Sequence, residues 1–169
     1  MTMRSFFLVG AALVATAASG CGSGGGDGVA NCPAAIQTCA TAVNAGELEG
    51  DSSNTVPLVQ TGNGAAFVSA LVREVSFDNR SVSVRGTIAS VDQTAYDVLL
   101  YVPPDETASA CGQASVASVN DVVDASWPDT YDGSSQDRTV VFQVRPRSGS
   151  CGGAWILVIE GNATSVTAP

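Results

Sequence analysis

The sequence contains no histidine. It also contains no lysine, so all seven of its basic residues are arginine. These two absences exclude many enzyme chemistries. Without histidine there is no Ser-His-Asp triad and no imidazole ligand for a metal. Without lysine there is no Schiff base and no Ser-Lys dyad. Sixteen acidic residues give a formal charge of −9. The basic footprint that a phosphate backbone requires is therefore missing, and nucleic acid is not an expected partner. No Walker loop, no G-x-S-x-G elbow and no C-x2-C zinc pair appears. Aromatic residues make up 6% of the chain, so a core must be built mainly from aliphatic side chains.

Long apolar runs are also scarce, apart from one at the N-terminus. Residues 5–18, SFFLVGAALVATAA, follow a short segment bearing Arg4. The run is shorter than the roughly 20 residues of a spanning helix, and small residues follow it, which is the order of an export signal. Ala18-Ser19-Gly20-Cys21 resembles the lipobox of bacterial lipoproteins, with Ala18 where that pattern prefers Leu. The resemblance implies cleavage before Cys21 and a diacylglycerol on its thiol. It also implies membrane anchoring, because two or three acyl chains hold where one binds marginally. Gly22 at the second mature position implies the outer membrane under the sorting rule of enteric bacteria. The glycine-rich stretch after Cys21 reads as a flexible tether. The expected organisation is a signal peptide over residues 1–20 and a tether over 21–31. A Cys-containing helical or turn segment over 32–45 and a β-sandwich over 46–169 follow.

Four cysteines remain: Cys32, Cys39, Cys111 and Cys151. An even number in an exported chain predicts two disulfides, with three connectivities open. Proximity in sequence favours Cys32–Cys39 together with Cys111–Cys151. The local pair carries a geometric condition. In one continuous α-helix its cysteines would lie about 10.5 Å apart along the axis, and a disulfide needs Cα atoms within about 7 Å. Either Cys32 then sits outside any helix formed by residues 33–43, or that helix is broken.

Beyond residue 46 the pattern turns to short strands. Residues 81–88 alternate, with Val82, Val84 and Ile88 on one face and Ser83, Arg85 and Thr87 on the other, as in a half-buried antiparallel strand. Residues 96–102 and 138–145 alternate likewise. Residues 65–77 are long and apolar, and their Val and Phe content favours strand over helix. Residues 154–160, AWILVIE, are apolar on both faces, as in a covered central strand. Gly, Pro, Asp and Ser punctuate these runs. The fold class expected is all-β, an antiparallel, jelly-roll-like β-sandwich.

Three motifs are similar to those of the bacterial pre-peptidase C-terminal domain family. YDVLLYV at residues 96–102 resembles its D-x-x-L-Y strand, and WILVIEGN at 155–162 resembles its closing W-x-L-x-V-x-G strand. TGNGAAF at 61–67, followed by Arg73 and Glu74, is similar to its opening strands. The resemblance implies a small sandwich that serves binding, secretion or solubility and carries no catalytic residues.

The candidate binding segment is residues 121–137, DVVDASWPDTYDGSSQD. Asp129, Asp132 and Asp137 are the candidate ligands for Ca²⁺, which takes six to eight oxygens from carboxylates and loop carbonyls. Trp127 and Tyr131 are the candidate ligand-stacking side chains if exposed; buried, they would plug the sandwich edge. No other cofactor is expected. The expected function is a lipid-anchored, non-catalytic binding or interaction module of the cell envelope, with a protein or carbohydrate partner at the cell surface. A calcium-assisted carbohydrate-binding module, a purely structural envelope component and a hydrolase using two carboxylates are the alternatives.

Overall fold

Alternation in the sequence becomes alternation in burial. The structure, a computed structural model, describes residues 32–35, 37–76, 80–119, 121–129 and 135–162. Among the described residues nine strands are present: β1 (Val43–Glu49), β2 (Leu58–Asn63), β3 (Ala66–Arg73), β4 (Val82–Ser90), β5 (Ala95–Tyr101), β6 (Ser115–Ala117), β7 (Val122–Trp127), β8 (Arg138–Ser148) and β9 (Ala154–Gly161). They form a five-stranded sheet, in the order β1-β3-β8-β5-β6, and a four-stranded sheet, in the order β2-β9-β4-β7. The fold is a β-sandwich. Among the described residues no helix is long and apolar enough to cross a membrane.

The core lies between the two sheets. Val68, Ala70 and Val72 of β3, Val98 and Leu100 of β5, and Val140, Phe142 and Val144 of β8 face Val82 and Val84 of β4 and Trp155, Leu157 and Ile159 of β9. The pairings explain why these runs read as they do. β9 lies between β2 and β4, so its apolar outer residues have neighbours on both sides. Gly86 lets the sheets close, because a Cβ there would run into the ring of Phe142. The apolar run at residues 65–77 contains a strand, β3, paired with β8.

Two expectations are corrected. The first concerns strand direction. β1 pairs with β3 in parallel, so the five-stranded sheet is mixed and not purely antiparallel. The chain reaches β1 from the end of the sandwich where β3 also begins, and the two then run side by side. The second concerns the disulfides. There are two, but they join Cys32 to Cys151 and Cys39 to Cys111, with Cα–Cα distances of 5.2 and 5.6 Å. The sequence neighbours Cys32 and Cys39 are separate anchor points of one segment drawn across the five-stranded sheet. Stretched between its anchors, this strap contains a 3-10 turn at Cys39–Thr41 and no α-helix among its described residues. Thr38 and Thr41 cap the turn reciprocally, with Thr38 N donating to Thr41 Oγ1 at 2.9 Å and Thr41 N to Thr38 O at 3.0 Å.

The strap also explains Val141, a residue on the outer face of β8 that is nonetheless buried. The Cys39–Cys111 bridge, Ala42 and the loop at residues 108–110 enclose it.

Candidate functional site

The sandwich has two ends. One carries the β2–β3, β4–β5 and β8–β9 turns and the Cys32–Cys151 bridge. At the other end, β1 passes into residues 50–52, β3 ends at Arg73, and β7 leads through residues 128–137 into β8. The expected binding segment runs from one end to the other: Asp121 lies at the first end, where its carbonyl accepts from Ile88 N, Val122–Trp127 is the edge strand β7, paired with β4, and Asp129, Gln136 and Asp137 lie at the second end.

Gly50 knits the two sheets together there. Its N–H donates to Arg73 O at 2.7 Å, and its carbonyl accepts from Ser83 N at 2.7 Å and Asn162 N at 3.1 Å. This crossing carries Asp51 into the interior, where it is fully buried. Its carboxylate accepts from Val75 N at 3.1 Å, Ser76 N at 2.8 Å and Ser76 Oγ at 2.6 Å. Each oxygen of this buried carboxylate therefore has a hydrogen-bond donor.

Glu74 and Asp137 link the end of β3 to the start of β8. Glu74 N donates to Asp137 Oδ1 at 2.9 Å, and Gln136 N donates to Glu74 Oε2 at 2.8 Å. The second Asp137 oxygen lies 3.6 Å from Arg73 Nε. Asp129 is within side-chain hydrogen-bonding reach of Glu74. Its Oδ2 is buried and has no hydrogen-bond partner. Desolvation raises the Glu74 pKa above its ordinary value. Asp129 and Asp51 raise it further, and the Gln136 N–H opposes the shift.

The site residues expected from the sequence divide as follows. Asp129 joins the carboxylate corner. Asp137 is nearby, but its oxygens are engaged by Arg73 and Glu74 N. Among the described residues no group of three His, Cys, Asp or Glu side chains is arranged to hold a metal ion. Trp127 is buried, 4% exposed. Its Nε1 donates to Gln136 O at 2.9 Å, and the Arg138 guanidinium lies 4.8 Å from its ring centroid. Of its two expected fates, the structure shows the plug, and Trp127 offers no stacking face to solvent. Arg138 Nη1 donates to Pro103 O at 2.9 Å, and burial lowers its pKa from the ordinary value. Asp132, Tyr131, Cys21, the signal segment and the tether lie outside the described residues. Asp51 and Glu74 were not expected at the site. Neither lies in the acidic stretch at residues 121–137, and only the crossing at Gly50 and the end of β3 bring them to it.

The three sequence motifs read above as similar to those of a known family lie mainly on strands in this structure. Asp97, Leu100 and Tyr101 lie on β5 and Trp155 opens β9. The Trp155 Nε1 donates to Gly64 O at 2.8 Å. Among solved structures, the chain is similar to the pre-peptidase C-terminal domain of a collagenase from Bacillus anthracis, at 8% identity and a TM-score of 0.37, over 70% of this chain and 96% of that one. It is also similar to PliG of Aeromonas hydrophila, a periplasmic inhibitor of g-type lysozyme, at 9% identity and a TM-score of 0.39, over 70% of this chain and 98% of that one. No protein-family model matches the sequence, and no curated protein matches it.

Proposed function

We propose that the chain is an exported, lipid-anchored protein of the bacterial cell envelope, in the outer membrane, whose β-sandwich is a non-catalytic binding or interaction module. The observation that carries this reading is the position of the Cys32–Cys151 bridge. It ties the N-terminal side of the domain to the turn before β9. β9 then runs about 25 Å along the sandwich to Gly161, beside Gly50 and Asp51. An anchor at Cys21 therefore enters at one end, and the loops carrying Asp51, Glu74 and Asp129 are presented at the other, toward a protein or carbohydrate at the cell surface.

The chemistry of those loops supports a non-catalytic role. The sequence has neither histidine nor lysine. Asp51 and Asp137 are engaged by backbone donors and Arg73. Glu74 and Asp129 are within hydrogen-bonding reach, whereas glycosidic chemistry sets two carboxylates about 5 to 9 Å apart across a cleft. The test is the intact mass of the protein extracted from its native membrane, before and after reduction. A chain beginning at acylated Cys21 that gains four hydrogens, two for each bridge, supports the reading. An unacylated mass overturns the anchor.

A calcium-assisted form of this module has one observation in its favour, the unpartnered Asp129 Oδ2 beside Glu74. A ligand that binds only the native state raises its melting temperature. A rise in Tm with millimolar Ca²⁺, absent with Mg²⁺, supports this form, and an unchanged Tm removes it.

A further inference from the structure

The strap encloses a second site, far from the carboxylate corner. Between it and the outer face of the five-stranded sheet lies a groove of about 520 Å³, within the size range of small-molecule pockets. One wall is the strap, with Pro33 and Ala35. The floor is the sheet, with Ala65, Phe67, Gln143 and Arg145. We propose that this groove binds a small amphiphile with one anionic head and a short apolar body, such as a medium-chain carboxylate.

The polar groups of the floor select the head. Gln143 and Arg145 are two residues apart on β8, so both side chains project from the same face. Gln143 Oε1 accepts from the Tyr101 hydroxyl at 2.8 Å, which leaves its amide N–H groups as donors. Arg145 stands opposite Asp97 in the β5–β8 register, but the Asp97 carboxylate is paired with Arg147 Nη1 at 3.4 Å. Among the described arginines, Arg145 alone has no hydrogen bond, ion pair or ring contact. The side-chain groups free in the floor are therefore an uncompensated cation and an amide donor, in a protein of formal charge −9. Guanidinium and amide N–H groups on one face match a carboxylate.

The rest of the lining selects the body. Phe67, Ala65, Pro33 and Ala35 present carbon, and an acyl chain laid along them leaves water at about 0.8 kcal/mol per methylene. The groove is also built before any ligand arrives. Among the described residues, no hydrogen bond joins residues 33–35 or Gln37 to the sheet. The two disulfides hold this wall in place, so its formation does not draw on the ligand's binding energy.

The test is calorimetric titration of the oxidised full chain with decanoate below its micelle concentration, with decanol and decyltrimethylammonium as controls. Decanoate is expected to bind saturably, about tenfold or more tighter than decanol, because charge-assisted hydrogen bonds are made by the carboxylate alone. Arg145→Gln, at an exposed position without partners, is expected to lower decanoate affinity to that of decanol. Reduction of the disulfides, which frees the strap, is expected to abolish binding. Absence of saturable decanoate binding overturns the proposal. So does equal binding of decanol or of the cation, or an Arg145→Gln variant that binds decanoate as the parent does.

Discussion

Cys32 and Cys151 are bonded across 119 residues of sequence, with their Cα atoms 5.2 Å apart. Cys39 and Cys111 are bonded across 72. Each bridge therefore closes a long loop around the sandwich, and closing a long loop removes much entropy from the unfolded chain. A proteolytic digest without reduction should yield a Cys32 peptide linked to a Cys151 peptide and a Cys39 peptide linked to a Cys111 peptide. A linked Cys32–Cys39 fragment would contradict the connectivity.

The double variant Cys32→Ser/Cys151→Ser should lose about 2–4 kcal/mol of stability, read from urea unfolding under non-reducing conditions. Because residues 33–35 and Gln37 make no hydrogen bonds to the sheet, the same variant should bind more of a hydrophobic dye, as the strap lifts from Phe67. A loss under about 1 kcal/mol would mean that the strap is held by something other than its bridge.

Trp155 joins the sheets through its ring and the β2–β3 turn through its N–H, which donates to Gly64 O. Trp155→Phe removes the donor, leaves a buried carbonyl without a partner and opens a space. About 2–4 kcal/mol of destabilisation is expected, measured by chemical denaturation.

Glu74→Gln should raise the Tm at neutral pH, since it removes a negative charge that faces Asp129 and Asp51 and keeps an oxygen to accept from Gln136 N. The pH dependence has a definite sign. A carboxyl whose folded pKa is raised contributes stability that is fully present below its unfolded value, near 4.5 for Glu, and is lost as pH rises through the folded value. Glu74 thus favours the folded state most in mild acid. Asp92 and Asp105 act oppositely. Hydrogen bonds from Thr94 and Thr107 lower their pKa values from 3.8, and their contribution is lost as pH falls below that range. Thermal melts of the parent and Glu74→Gln between pH 4 and 8 should therefore diverge as pH rises. Parallel curves would refute the pairing of Glu74 with Asp129.

Asp51→Asn should cost about 2–3 kcal/mol. The carboxylate accepts from Val75 N, Ser76 N and Ser76 Oγ, and an amide must turn an N–H toward one of these donors. A smaller loss in urea unfolding would show that the three donors find other partners.

The elements legible in the sequence are those whose pattern is local. The alternation of Val82, Val84 and Ile88 and the apolar run from Ala154 to Glu160 mark β4 and β9, because face and burial are written in consecutive residues. The parallel pairing of β1 with β3 is not written in either strand, since it depends on which end of the sandwich the chain enters from. β7 lay hidden in an acidic stretch because an edge strand tolerates polar residues on its open face. Asp129 was legible as part of an acidic cluster. Its partner Glu74 was not, since 55 positions separate the two and no period links them. The groove floor was equally hidden, as Arg145 acquires its meaning only when Arg147 takes Asp97.

The strap has a consequence for how the protein is made. In a chain oxidised as it emerges N-terminus first, Cys32 and Cys39 meet long before Cys111 and Cys151 appear. The bond favoured by proximity is then Cys32–Cys39, a non-native pair that leaves the strap unattached. The native pattern requires that bond to be exchanged once the β8–β9 turn has formed, by thiolate attack through a mixed disulfide. On this route the thiolates of Cys111 and Cys151 are the chain's own attacking groups, and a thiol–disulfide isomerase would speed the exchange. A cell able to oxidise cysteines but unable to reshuffle them would accumulate the sandwich with its strap loose and its groove unformed.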